Sequence, residues 1–459
     1  MPGLRGQFYT DMLGICIVLM ICLSAVHSQF PRACTTEAAF RTKTCCPLWK
    51  DNSPCGSLSG RGRCRDWTPL RRNKIPQVND DRLDWPRFYY ENTCECHGNY
   101  SGFDCGDCKH GYFGDKCDRK KMIIRREIRE LSFLEKKRLF SYLALAKTTK
   151  SKDFVVLITG DRHHRETYRF IDASLYDVFA WMHYYAMKPI LINNTFDLIK
   201  NFAHQGPSFP GWHRLAILFL ERQIQLMTGD EDFSIPYYDW RGEKNCSICT
   251  DDLLGNNNAQ GILTPYSHFS FWKVVPMTLG FNYPDAYCPT ADTEYKMERL
   301  HRKPGTTPYA LNMPTFLDVE NTLKLKEFDT PPFNETSLLS FRNALEGFLA
   351  PDGVTLKRSM HNLIHIYLGG TMSQIPISSN DPIFILHHSY VDKIFEQWIA
   401  KYNASPSTYP ENNELGQSPT DCIIPFFPCY QNKDFIRKST EFGYLWNYGG
   451  VRTAKTQSS

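Results

Sequence analysis

"SMHNLIHIYLGG" (Ser359–Gly370) and, further along, "FILHHSYVD" (Phe384–Asp392) hold His361, His365, His387 and His388, four of the chain's fourteen histidines. Positions i and i+4 of a helix lie on one face, so His361 and His365 converge if the first stretch is helical. The second stretch follows Asp381-Pro382. Asp is a good N-cap and Pro suits a first helical turn, so a helix starts there. His387 and His388 are adjacent and point about 100° apart, so one of them faces the site. A single histidine on an apolar helix face is usually a hydrogen-bonded core residue. A convergent group of three reads as a metal site.

A second group lies upstream. "WMHYY" (Trp181–Tyr185) carries His183 on an amphipathic helix. "NFAHQGPSFPGWHR" (Asn201–Arg214) puts His204 on a loop and His213 at the opening of the next helix. Two helices and the loop between them thus supply three more imidazoles. Imidazole suits copper, zinc, iron and nickel, and an all-imidazole set favours copper or zinc. No acidic residue stands at the H-E-x-x-H spacing, which argues against a zinc protease.

Working outward, the 459 residues suggest one large domain and one small one. From about Lys120 apolar residues recur at helical spacing. Ser132 with Glu135 forms a capping box. Further helices are expected in "SLYDVFAWMHYYAM", "GWHRLAILFLERQIQLMTG", "LKRSMHNLIHIYLGG" and "DPIFILHHSYVDKIFEQWIAKY", with long Gly-, Pro- and Asn-rich segments such as 241–335 between them. The large domain therefore reads as mainly α with long loops.

Before it, ten cysteines crowd between Cys34 and Cys117. "CECHGNYSGFDCGDCKHGYFGDKC" (Cys94–Cys117) resembles an EGF-like module, held by disulfides in place of a large core. Zinc at Cys105-x-x-Cys108 is the competing reading; the even count and an exported chain favour disulfides, whose pairing the sequence does not give. Export is read from Arg5 and the apolar run Met12–Ala25, a signal peptide cleaved before Gln29 and short for a membrane span. Glycosylation sequons at Asn99, Asn193, Asn245, Asn334 and Asn403 agree. A net charge of +4 gives no case for nucleic acid as a partner. The expected layout is 1–28 signal peptide, 29–119 Cys-rich EGF-like region, 120–445 catalytic domain and 446–459 divergent polar tail.

These motifs, with "IPYYDWR", "FRNALEGF", "NDPIFILHHSYVDKIFEQW" and the N-terminal "FPRAC", "CCPLW", "SPCG" and "LSGRGRC", resemble the vertebrate-type tyrosinase family from about Phe30 to Tyr444. The resemblance implies a type-3 dicopper centre in a four-helix bundle. His183, His204 and His213 match the ligands of one copper ion, and His361, His365 and His388 those of the second. His387 matches a neighbour that does not ligate, and His163 and His164 are read as exposed loop residues. Glu346 and Asn362 match residues that hold a proton-accepting water, which is sound general-base chemistry for a phenol; the plain alternative is Glu346 paired with an arginine. Phe348 matches a ring that stacks on substrate, and Ile375 and Ser378 lie on the matching entrance loop.

The implied reaction is copper-dependent ortho-hydroxylation of tyrosine to L-dopa and oxidation of L-dopa to dopaquinone with dioxygen, in melanin biosynthesis. Redox-silent zinc supports neither step. The alternatives are a zinc-containing, dopachrome isomerase-like relative and a non-catalytic dioxygen-binding protein. Family members continue into a membrane helix where this chain stops, so no membrane anchor is expected in it; the implied location is the secretory pathway, in the melanosome lumen or secreted. Departures from the family are Pro210-Gly211 before Trp212, Tyr238 where Trp is commoner, and Cys422 and Cys429, which look additional. Cys246, Cys249 and Cys288 match family cysteines.

Overall fold

The computed structural model describes residues 28–67, 80–161, 164–192, 195–197, 200–275 and 299–447. The expected signal peptide (apart from Ser28), His163, Asn193, Cys288 and the tail beyond Asn447 lie outside these residues.

Six helices position the histidines and their supports. Helix α1 (Phe133–Thr148) begins at the predicted capping box: the Ser132 hydroxyl accepts from the Glu135 N–H, and the Glu135 carboxylate accepts from the Ser132 N–H at 2.7 Å. Helix α2 (Leu175–Met187) is capped by Ser174, whose hydroxyl accepts from the Asp177 N–H. Helix α3 (Phe209–Thr228) has Pro210 in its first turn and ends at Gly229, which takes the left-handed conformation. Helices α4 (Phe341–Glu346) and α5 (Met360–Leu368) are short and pack together. Helix α6 spans Ile383–Tyr402 with Pro382 at its N-cap position, one residue later than expected, while Asp381, just before it in extended conformation, still accepts from the Ile383 N–H through Oδ1 at 2.9 Å.

Helix α3 packs against both α6 and α2. A continuous apolar core surrounds them and includes Trp212, Phe384 and Trp398, each at most 1% exposed. Full burial of side chains this large stabilises the fold by roughly 1.5–3 kcal/mol apiece. Into this core is set a buried ionic cluster. Arg214 of α3 pairs with Asp392 and Glu396 of α6, and Arg125 bridges Glu221 of α3 to Asp392.

The mainly helical expectation omits a three-stranded antiparallel sheet. Strand β1 (Ser28–Pro31) pairs with β3 (Lys150–Asp161), which pairs with β4 (His164–Ser174). The run Phe154-Val-Val-Leu-Ile is rich in residues that fit a pleated, buried surface. His164 does not sit in a loop: it opens β4, exposed, with Nδ1 3.1 Å from the Glu166 carboxylate. A smaller parallel pair joins β2 (Ile123–Arg125) to β5 (Tyr444–Trp446).

The cysteine-rich segment is disulfide-bonded, as the even cysteine count and the expected export favour. The pairs are Cys34–Cys45, Cys46–Cys64, Cys55–Cys94, Cys96–Cys105 and Cys108–Cys117. Cys55, Cys94 and Cys105 form a small cluster of their own, whereas Phe30, Phe40, Trp85, Tyr89 and Tyr90 pack into the main core. Downstream, Cys246 pairs with Cys249 and Cys422 with Cys429.

Candidate metal centre

The fold brings the upstream histidines together. His183 projects from α2, His204 from the irregular segment before α3, and His213 from the second turn of α3, all buried. Their ring centroids lie 4.7–5.9 Å apart. The His213 Nδ1 N–H donates to the Phe209 carbonyl at 2.8 Å, which leaves Nε2 a free lone pair; that atom is buried with no protein hydrogen bond. Nδ1 of His204 is buried and unpaired in the same way, and His183 has one interaction, with the Pro376 main chain, for its two buried ring nitrogens. Burial drives His183 and His204 well below the usual histidine range and His213 down to about 3, so the rings are neutral.

The downstream group is tighter. The His361 Nδ1 N–H donates to the Glu346 carbonyl at 3.1 Å, and that of His365 to the Met372 carbonyl at 2.8 Å. With both Nδ1 atoms protonated, both Nε2 atoms present lone pairs, and these lie 3.0 Å apart. The Nε2 of His388 lies 3.3 Å from that of His361. Nitrogens converging this closely can share one cation. Burial lowers His365 to about 4 and holds His361 and His388 well below the usual range. In each group, one nitrogen from every ring lies within 4.8 Å of the others. The orphaned nitrogens and converging lone pairs fit two closely spaced ions held by imidazole.

His387 falls within the downstream group by distance, yet its hydrogen bonding sets it apart. The Trp240 indole N–H donates to His387 Nδ1 at 3.0 Å. A neutral imidazole that accepts at Nδ1 carries its proton on Nε2 and has no lone pair left for a metal. His388 instead stacks on His213.

Two aromatic rings that the sequence reading overlooked wall the site. Phe209 lies 4.8 Å from the His361 ring and 4.9 Å from His213. Phe384 lies 4.1 Å from His388 and 5.0 Å from His183. Each stands four residues before a histidine of its own helix, a spacing that could have revealed it.

The other predicted residues are placed as follows. Glu346 is fully buried: one carboxylate oxygen pairs with Arg342 at 3.1 Å and the other accepts from the Gln205 N–H at 2.7 Å. Burial outweighs Arg342 and lifts its carboxyl to about 7. The arginine pairing weighed from sequence is therefore present, beside a main-chain link to His361. Asn362 has its Oδ1 3.2 Å from His361 Nδ1, and its Nδ2 is buried without a partner. Phe348 is half-buried with the Arg358 guanidinium 4.2 Å from its ring centroid. Ile375 is largely exposed, whereas Ser378 is buried with its hydroxyl donating to the Ile375 carbonyl. Tyr238 is buried with its hydroxyl on the Met313 sulfur, and Gly211 packs beside Phe435.

Residues 173–401 match the family described as the common central domain of tyrosinase. The chain is 41% identical over 445 residues to a tyrosinase of Felis catus, an alignment spanning 94% of this chain and 83% of that protein. It is 42% identical over 451 residues to a tyrosinase of Bos taurus, spanning 94% and 84%. Identity to the 5,6-dihydroxyindole-2-carboxylic acid oxidase of Homo sapiens is 36% over 464 residues, spanning 95% and 85%.

Proposed function

The chain belongs to the tyrosinase family, and from that premise we propose that it is the copper enzyme that ortho-hydroxylates tyrosine to L-dopa and oxidises L-dopa to dopaquinone. The observation that carries this reading is the direct contact of two buried histidine groups, His213 lying on His388 with ring centroids 4.1 Å apart. His183, His204 and His213 would hold one copper ion, and His361, His365 and His388 the other. When bound, the pair supplies reversible redox chemistry with dioxygen, which zinc lacks.

The chain's own residues hold this arrangement in advance. The Phe209, Glu346 and Met372 carbonyls fix the tautomers of His213, His361 and His365. Phe209 and Phe384 keep the space between the rings apolar. Glu346 and Asn362 are assigned the water that takes the phenol proton. Asn362 has an unused amide N–H for it, and each Glu346 oxygen keeps acceptor capacity beyond its one protein bond. Phe348 is assigned substrate stacking, and Ile375 and Ser378 the entrance.

Helices α2, α3, α5 and α6 are read as the four-helix bundle, and residues 29–119 as carrying an EGF-like module. Residues 1–28 are read as signal peptide, 120–445 as the catalytic domain and 446–459 as a polar tail. The chain is assigned to the secretory pathway, in the melanosome lumen or secreted. Among the described residues no helix is long and apolar enough to cross a membrane.

Metal exchange tests the function. Copper loading is expected to give turnover of L-tyrosine and L-dopa, and zinc loading none. Dopachrome isomerisation by the zinc-loaded chain would favour the isomerase-like alternative, and reversible dioxygen binding without turnover the non-catalytic one.

A further inference from the structure

His204 is the one proposed ligand that no helix carries. The segment from Asn201 to Ser208 has no regular hydrogen-bonding pattern of its own, and Gln205 within it takes a left-handed backbone conformation, φ 60°. Something outside the segment must hold it, because an irregular loop does not fix a ring to the tolerance a metal ligand needs.

Within the segment, Asn201 Oδ1 accepts the Ala203 and His204 N–H groups at 3.0 and 2.8 Å, and from outside it Glu346 accepts the Gln205 N–H at 2.7 Å. A third support comes from more than two hundred residues away. Gln417, buried, inserts its side-chain amide into the turn of the His204 loop. Its Nε2 donates to the Asn201 carbonyl at 2.8 Å and to the carbonyl of His204 itself at 3.0 Å. Its Oε1 accepts from the Ser208 N–H at 3.1 Å and lies 2.9 Å from the Ser208 hydroxyl, whose single proton it shares with the Phe202 carbonyl, also at 2.9 Å. One amide thereby joins both ends and the middle of the loop, using both its donors and its carbonyl oxygen. The approach is so close that a Cβ on Gly206 would fall 2.3 Å from Gln417 Oε1.

The segment bearing Gln417 is itself fastened. The Tyr409 hydroxyl donates to the Gln417 carbonyl, and Asn432 donates to the Gly416 and Ser418 carbonyls. The Cys422–Cys429 disulfide closes the loop just beyond, and the Trp212 indole, next to His213, donates to the Ile424 carbonyl at 2.7 Å. Residues 409–432 thus form a strap across the back of the upstream histidines.

We propose that Gln417 is a positioning residue for the upstream metal site: through the strap it holds His204 where it can ligate, so retention of that ion depends on this amide. This rests on the reading of His204 as a ligand. His361, His365 and His388 stand on α5 and α6 and have no such dependence.

The experiment compares wild type, His204→Ala and Gln417→Glu, each purified as the full chain and equilibrated with excess copper buffered at a low free concentration. Gln417→Glu keeps the side-chain volume and the bonds accepted from Ser208, and replaces the two donated bonds with an acceptor facing two carbonyls. Wild type is expected to hold two copper ions per chain and both variants one. For Gln417→Glu the missing ion is expected to return at higher free copper, with the apo-protein still folding cooperatively but at a lower unfolding temperature, because an acceptor now faces two buried carbonyls. Two tightly held ions and unchanged KM and kcat in Gln417→Glu, beside one ion in His204→Ala, would overturn the proposal. Loss of both ions from a Gln417→Glu chain that still unfolds cooperatively would also overturn it, since the effect would then not be confined to the upstream site. Two ions in His204→Ala would overturn the ligand reading beneath it. If Gln417→Glu aggregates, Gln417→Asn is read by the same outcomes: it keeps an amide but withdraws it from the loop.

Discussion

The imidazole of His213 lies flat on that of His388, centroids 4.1 Å apart and planes within 7° of parallel. The two rings come from α3 and α6 and belong to different histidine groups, so this contact makes one centre out of two sites. The ionic cluster of Arg214, Asp392 and Glu396 joins the same two helices one residue after His213 and one turn after His388.

Asp392 carries the most in that cluster, because it meets both Arg125 and Arg214 and accepts the Tyr444 hydroxyl at 2.6 Å. Removing one partner of a buried pair leaves the other charge uncompensated. Asp392→Ala is expected to destabilise the chain by about 3–5 kcal/mol in denaturant unfolding. A loss of less than about 1 kcal/mol would mean that solvent reaches these arginines.

His387 and His388 should behave differently despite being neighbours. His388→Ala removes a lone pair aimed at His361 Nε2 and is expected to cost one copper ion and dioxygen binding. His387→Ala removes a ring whose Nδ1 accepts from Trp240 and is expected to keep both ions. Equal losses by copper analysis would show that the wrong histidine is assigned as ligand.

Gly347 tests how tightly the downstream site is built. It has φ +96°, and a Cβ there would lie 2.0 Å from the Ser359 carbonyl oxygen, between Glu346 and the start of α5. Gly229 has φ +71° with open space around it. Gly229→Ala is expected to cost about 1 kcal/mol from backbone strain alone. Gly347→Ala is expected to cost more and to weaken copper binding by His361. Equal destabilisation of the two variants would contradict this.

Asn362 is assigned to phenol deprotonation, a step that catechol oxidation leans on less. Asn362→Leu is expected to lower hydroxylation of L-tyrosine by about 10²-fold while L-dopa oxidation falls much less. Equal losses in steady-state kinetics would remove Asn362 from that role.

The helical part of the site was legible because its signals are local. The Ser132–Glu135 capping box, the Asp381-Pro382 helix start and the i, i+4 pair His361 and His365 all lie within one or two turns. The β3–β4 hairpin was missed because Phe154–Ile158 is a short apolar run that periodicity alone does not assign. Gln417 had no signal at all: its partners lie some 210 positions away, and only the folded chain brings them together. Glu346 shows why two readings of one residue need not exclude each other, since it pairs with Arg342 and also positions His361.

The most direct measurement is the copper content of the purified chain, followed on the same sample by oxidation of L-tyrosine and L-dopa. The account predicts two copper ions per chain and turnover of both substrates. Zinc in place of copper, or two copper ions with no turnover of either substrate, would contradict it.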